Sequence, residues 1–478
     1  MLTRRDAERR RTGRVAQAGR ATAGGVHAVP LRAAVRVWAA VGLQSFGGPA
    51  GQIALMHRRL VEELRWISER RFLHALNFCM LLPGPEAQQL AVYVGWLLNG
   101  TVGGVLAGVL FVLPGVLALL ALSIVYAVAG DVGVVTGVLF GLQAAVVAIV
   151  ADAVLRIGRR ALTHRVLVGL AGAAFIGIFV FELPFPLIVL AAAVTGYAGG
   201  RRRPAWFAGR GGHGSPQATG PGERAVLSDA AAQPSLERDR RARRAALVCL
   251  ALWAAPVAAV LLLVGAGHVF GQQAVLFSQT AVVTFGGAYA VLGYVAQRAV
   301  EDFGWLRPEE MTTGLGLAET TPGPLILVVQ FVGFQAAYRN PGSLDPLLAG
   351  VLGSLLVVWV TFLPCFLFIF AGAPYIERLR GHLGLRTALA AVTAAVVGVI
   401  LNLAVWFALH TAFDTVEETR RGGARLLVPE PASIDVASVS ISVAAAVALL
   451  RLRWGVLRTL VAAAAGGLAL HLLTGAGG

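Results

Sequence analysis

Two proline-glycine-proline triplets, Pro83-Gly84-Pro85 and Pro322-Gly323-Pro324, interrupt apolar stretches that otherwise read as helix. Pro83 and Pro322 disfavour helix at the residue before them and donate no hydrogen bond, while the glycine admits whatever backbone the break needs. Pro85 and Pro324 suit the first position of a new helix. In the first triplet that helix would present free N–H groups from about Glu86 to Gln89, together with the positive end of its dipole, which is the chemistry of an anion site, and the second triplet would do the same in the second half. Gly47-Gly48 and Gly286-Gly287 form a second pair of candidate breaks, preceded by the hydroxyls Ser45 and Thr284, where backbone can come close to a ligand. The plainer reading is a set of proline kinks and packing glycines. Each motif occurs twice at matching positions, which favours converging broken helices around a substrate site.

The acids nearest these breaks are Glu86, directly after one triplet, and Glu319, three residues before the other. A carboxylate inside a membrane is costly and is a functional candidate by default, so both are candidates for proton coupling. Glu86 can instead cap its helix, a role that would compete with an anionic substrate. Gln88, Gln89, Thr320 and Thr321 offer neutral donors or helix-to-helix glue. Asp152 and Asn402 fall near span ends, where interfacial hydrogen bonding suffices. No Arg lies deep in a span, so an anion would be held by dipoles and hydroxyls. The nine His show no metal-ligand spacing, and Cys79, Cys249 and Cys365 form no CxxC pair. No metal, cofactor or catalytic constellation is therefore expected, and an enzyme is the weaker reading.

The elements that must position these breaks are membrane helices. The chain of 478 residues is 57% hydrophobic and 14% charged, too little charge to cover a soluble surface of this size. Apolar runs at 102–129, 132–155, 166–182, 246–264, 347–371 and 387–409 are each long enough, or nearly so, to cross a bilayer as helix. This predicts an all-α polytopic membrane protein; barrel-type alternation is absent from the runs. The net charge of +15 comes from Arg without Lys. These Arg sit between apolar runs, the pattern of membrane topology rather than of nucleic-acid binding. Residues 1–30 read as a basic cytoplasmic tail without a signal peptide, and 201–245 as a basic, disordered cytoplasmic linker.

The stretches on either side of that linker are repeats. Phe46-Gly47-Gly48 matches Phe285-Gly286-Gly287, Trp66 matches Trp305, and the two triplets match, all at an offset of 239. Leu113-Pro114 matches Leu363-Pro364, and 144–147 matches 394–397, at an offset of 250, placing extra residues near Tyr338–Pro346. The units are a first repeat at 31–200 and, at 246–478, an extra span plus the second repeat. Matching loops differ in charge: 57–71 is basic while 297–310 carries Glu301, Asp302, Glu309 and Glu310, and 156–165 is basic where the turn at Asp131 is not. In the second repeat the turn matching Asp131 carries Arg378, Arg380 and Arg386, and the last hairpin carries Arg451, Arg453 and Arg458 where 183–185 is uncharged. The positive-inside rule then places the repeats in opposite orientations, the span at 246–264 supplying the odd crossing. Against this, the 412–435 loop falls outside yet carries Arg420, Arg421 and Arg425, offset by Asp414, Glu417, Glu418 and Glu430. Segments 31–57 and 70–99 must cross an even number of times, either as hairpins that dip in and return or as pairs of full spans.

The motifs FGGPAGQIALMH, LLPGPEAQQLAVYVGW, FVLPG, AETTPGPLILVVQFVGF and AAVVGVILNLAVW together resemble the chromate transporter family in its long two-domain form. The resemblance covers about 31–200 and 246–475. It implies a multi-pass plasma-membrane protein of a bacterium or archaeon that exports chromate and confers chromate resistance, drawing on the proton-motive force or on anion exchange. Carried over by position, the motif residues are Gly47, Gly48, Pro83, Gly84, Pro85, Gly286, Gly287, Pro322, Gly323 and Pro324. Ala288 replaces the proline found at Pro49, so the two halves need not contribute equally. Sulfate or another tetrahedral oxyanion is the alternative substrate, since dipoles sense charge and size more than element. The expected partners are that small oxyanion and the lipid bilayer; a homodimer is compatible, and nucleic acid is not expected.

Overall fold

The computed structural model describes residues 29–130, 132–207, 236–285, 288–373, 383–421 and 423–474. The basic tail up to 28, linker residues 208–235, Asp131, Gly286, Gly287, Arg378 and Arg380 lie outside the described residues. In the first half, α1 (Leu31–Leu43), α2 (Gly48–His57, continued by a π turn Arg58–Glu63) and α3 (Glu69–Cys79) are short. They are followed by α4 (Glu86–Ala129), α5 (Gly133–Ala161), α6 (Arg165–Phe179) and α7 (Phe185–Arg202). The second half contains α8 (Leu236–Leu263), α9 (Val269–Val283), α10 (Ala288–Ala296, with a π turn Gln297–Asp302) and α11 (Pro308–Thr320). It continues with α12 (Val328–Arg339), α13 (Pro346–Gly372) and α14 (Leu383–Ala412), then α15 (Val436–Leu450) and α16 (Val456–Thr474). Six helices among the described residues are long and apolar enough to cross a membrane: α4, α5, the 239–263 stretch of α8, α13, α14 and α16. The run at 166–182 forms only the 15-residue α6, and α8 begins at Leu236, inside what the composition reads as linker.

Several short helices fold back on themselves. The 44 residues of α4 are two helices, because Asn99 and Gly100 leave helical geometry, Gly100 at φ +64°. The two arms pack through small residues: a Cβ on Gly95 would stand 2.5 Å from the Gly103 carbonyl and 2.6 Å from Ala107. The Asn99 amide donates to the Val29 carbonyl (2.7 Å), which brings the start of α1 to the same level. In the second half α12 and α13 pack alike, with Gly333 against Gly353 and Val357. The hairpin of α11 and α12 is closed at its mouth, where Arg339 bonds Glu310 (Nη1 to Oε2, 2.7 Å) and the Trp305 carbonyl (3.0 Å). Glu310 is 2% exposed and also accepts from the Tyr126 hydroxyl at the end of α4. The first turn of α11 and the last of α12 therefore lie together, and 308–339 forms a helical hairpin.

One element is not helical. Between α14 and α15, β1 (Val416–Arg421) and β2 (Ala424–Pro429) pair antiparallel around Gly423 at φ +82°. Only the charge of this loop is apparent from the sequence. Arg425, 8% exposed, bonds Glu301 (2.7 and 2.8 Å) and Glu182 (2.8 Å), and its own N–H donates to the Val180 carbonyl (2.8 Å). Burial alone would lower the guanidinium pKa, but these carboxylates hold it above the usual arginine range. The strap thus ties the α6–α7 turn to the end of α10.

Removing Arg339 leaves a buried carboxylate without its main counter-charge, a loss on the order of 3 kcal/mol for a buried pair and less where one partner is half-exposed. Arg339→Ala should lower the thermal midpoint of the detergent-purified protein by several degrees. Arg298→Ala, which breaks the exposed pair with Asp302, should leave it nearly unchanged. The double variant Glu310→Leu/Arg339→Met should recover most of the loss. Equal midpoints for the two single variants would mean that the hairpin mouth is held by something else.

Candidate functional site

The breaks meet in crossed pairs. The Gly84 N–H of the first half donates to the Thr284 carbonyl of the second (2.8 Å), and the Gly323 N–H of the second donates to the Ser45 carbonyl of the first (2.8 Å). Each triplet is thus tied to the hydroxyl residue that stands two positions before the opposite half's glycine pair in the sequence. Gly84 lies at φ +124° and Gly323 at φ +102°, backbone that only glycine adopts without strain. A triplet also rests on the opposite half's long helix. A Cβ on Gly115, the residue after Pro114, would stand 2.1 Å from the Pro322 carbonyl; one on Gly84 would stand 2.9 Å from the Cys365 sulfur, the residue after Pro364. Gly115 is half-way along 101–129, so this contact sits at the middle of the second arm of α4.

Pro85 and Pro324 are extended residues that cap the following helix rather than open it. The helix of the first half starts at Glu86, with the Gln89 N–H already bonded to the Pro85 carbonyl (3.0 Å). The N–H groups of Glu86, Ala87 and Gln88 are therefore those a helix start leaves without an internal partner. The second half begins instead with a single 3-10 turn, Leu325–Leu327. Gly47 (φ +84°) and Gly48 (φ +70°) open α2, and a Cβ at either would meet nothing within 4 Å. Backbone is accessible there, whereas Gly84 and Gly323 are enclosed.

The side chains divide the work. The Ser45 hydroxyl donates to the Val41 carbonyl (2.6 Å) and the Thr284 hydroxyl to that of Thr280, and both residues are buried. Their carbonyls hold the joint while their hydroxyls satisfy the helix behind. Thr320 and Thr321 likewise donate back to Leu317 and Ala318. Gln89 donates to the Pro83 carbonyl (2.6 Å), bracing the triplet. Gln88 is fully buried, and neither of its amide atoms bonds another described residue, which leaves a donor free in the first turn of α4. Glu86 is half-buried beside it. Glu319 is 6% exposed and accepts from the Tyr289 hydroxyl (2.6 Å). Gln52 is not singled out by the sequence, yet its amide donates to the Gly323 carbonyl (2.6 Å) and the Ser45 carbonyl (3.3 Å), clasping one joint from α2. A buried glutamine four residues after Gly48 is the signal that could have found it. The expected pair Gly286 and Gly287 lies outside the described residues.

Helix breaks that meet between long apolar helices, six of which among the described residues are long and apolar enough to cross a membrane, fit a multi-pass membrane transporter. The chain belongs to the chromate transporter family, whose profile matches residues 33–197 and 271–469. It is 34% identical over 368 residues to a chromate transport protein of Pseudomonas aeruginosa, covering 75% of this chain and 76% of that one. It is 27% identical over 396 residues to a chromate transport protein of Cupriavidus metallidurans, covering 82% and 87%. A probable chromate transport protein of Synechococcus elongatus is 27% identical over 388 residues, covering 81% and 87%. No solved structure matches the chain.

The crossed joint predicts an order of damage. Gly115→Ala drives a methyl into the Pro322 carbonyl, and Gly84→Ala combines a clash with left-handed backbone, each costing about 1–3 kcal/mol or more. Gly47→Ala carries only the conformational cost, about 1–2 kcal/mol. Thermal midpoints in detergent should fall clearly for Gly115→Ala and Gly84→Ala, and less for Gly47→Ala. If Gly115→Ala is as stable as the parent, the second-half triplet does not rest on α4.

Proposed function

We propose that the protein exports chromate, a tetrahedral dianion, across the plasma membrane of a bacterium or archaeon by secondary transport, and so confers chromate resistance. The observation that carries this reading is the crossed joint of the four breaks. It gathers helix starts, accessible Gly47-Gly48 backbone and the unbonded Gln88 amide around the point where the halves meet. Such a site binds by dipoles and neutral donors, so it accepts sulfate as a competitor. The energetics favour export: at a potential negative inside, an outgoing dianion gains about 5 kcal/mol per 100 mV.

The halves are proposed to sit inverted, with each broken segment re-entrant. Contacts between loops support this. The inverted scheme puts Glu182, Glu301 and Arg425 on the outside, and Arg425 bonds both carboxylates. It does the same for Gly133 and His471 and for His268 and Gly342, which are neighbours. Val29 and Asn99, and Tyr197 and Gly384, both assigned to the inside, also meet.

Everted vesicles from cells making the protein should accumulate chromate, with sulfate competing, and Pro83→Ala or Gly323→Ala should lose uptake at equal membrane abundance. Near-normal uptake by both variants would reduce the triplets to kinks. Single cysteines at Glu63 and Asp302, in a chain freed of its native cysteines, should react with an impermeant thiol reagent from opposite faces. Reaction of both from one face would overturn the inverted arrangement.

A further inference from the structure

The second half holds an ionisable pair that its image in the first half lacks. Tyr289 opens α10, two residues past the second glycine pair, and Glu319 ends α11, three residues before Pro322. The 2.6 Å bond between them spans the two breaks of that half. At the offset of 239 the first half has Ala50 and Met80. A buried carboxyl held by a phenol hydroxyl, without a bonded cation among the described residues, is a group that can take or release one proton at small structural cost.

Its surroundings give it one ionic neighbour. Along α5, Gln143 bonds Thr313 (2.7 Å) and Leu142 and Val146 pack on Gly316. Continuing that register sets residues 149 and 150 beside Glu319 and puts Asp152 within the next turn. Asp152 pairs with Arg156 (3.0 Å), both partly exposed; the charges of both reach Tyr289, and that of Arg156 reaches Glu319. The other ionisable groups facing α11 are elsewhere: Tyr126 of α4 and Arg339 of α12 meet Glu310 at its opposite end. His410 of α14 lies toward Glu301 and Glu309, and His471 of α16 packs on Gly133.

We propose that the Tyr289–Glu319 pair is the proton-binding site of the transporter, that an oxyanion bound at the breaks is accompanied by one proton on Glu319, and that Asp152–Arg156 connects the pair to water on the inner side. A dianion at the breaks and an ionised Glu319 repel, so anion binding and protonation favour each other. The proton comes from water through the Asp152 carboxylate, which returns to its ionised state once Glu319 is neutral. Tyr289 is a positioning residue: it donates to the Glu319 carboxylate and holds its orientation. Glu86, without a counterpart to Tyr289, plays no part in this step.

This inference rests on an oxyanion binding at the breaks, and the experiment separates the two. Sulfate is titrated into the detergent-solubilised full chain in weakly buffered solution near neutral pH, with binding followed by calorimetry and proton uptake by a pH indicator. The parent, and Asp302→Asn in the exposed pair with Arg298, should take up about one proton per sulfate bound. Glu319→Gln should bind sulfate with no uptake and with an affinity that no longer rises about tenfold per unit of falling pH. Glu319→Asp should restore uptake, and Tyr289→Phe should shift the pH at which it occurs. Sulfate binding without proton uptake in the parent, or unchanged uptake in Glu319→Gln, overturns the proton site. Absence of any sulfate binding by the parent instead overturns the oxyanion site on which it rests.

Discussion

Breaking a helix at mid-depth of an apolar span leaves backbone groups that lipid cannot satisfy, each costing several kcal/mol if unpaired. The fold answers this with an exchange between halves. Gly84 of one half bonds Thr284 of the other, and Gly323 bonds Ser45. The exchange fixes much else. The proline-bearing helices need a small residue at Gly115 and at Cys365 to let the opposite triplet approach, and the helices that precede each triplet must be short enough to end there. The closed mouth at Glu310 and Arg339 then holds one such hairpin from its other end.

The backbone of the joint is nearly the same in both halves, and the side chains around it are not. Gln52 clasps one crossing, where the image position is Val291. Gln88 and Gln89 correspond to Leu327 and Val328, and the helix start they brace becomes a 3-10 turn in the second half. Acids follow the same rule, Glu86 on one side and Glu319 with Tyr289 on the other. The β-hairpin and Arg425 likewise occur only in the second half. The two crossing backbone bonds are thus alike while the ionisable and amide groups around them differ.

The offset of 239 carries much of this architecture in plain sight: the π turns start at Arg58 and Gln297 and the triplets bend at the same step. The breaks were legible because proline and glycine act locally, through φ and a missing donor. The crossing was not, because a bond from Gly84 to Thr284 joins backbone to backbone between non-matching motifs and leaves no side-chain signature. For the same reason the hydroxyls of Ser45 and Thr284, read from the sequence as ligands, turn out to satisfy the preceding helical turn. The strap at 416–429 was read only as charge, since its two short strands depend on Gly423 and on partners far along the chain.

The exchange also sets a schedule for biogenesis. Gly84 enters the membrane roughly 200 residues ahead of Thr284, about 10–40 s at ordinary rates of synthesis. Through that interval the inserted first half is an unfinished object, its break open at the depth where water is scarcest. Another nascent copy carries a Ser45 carbonyl at the position that matches Thr284, so two first halves present the same backbone donor and acceptor to each other. Until Thr284 arrives, pairing within one chain therefore competes with pairing between neighbouring nascent chains, and only the covalent link through the linker favours the former.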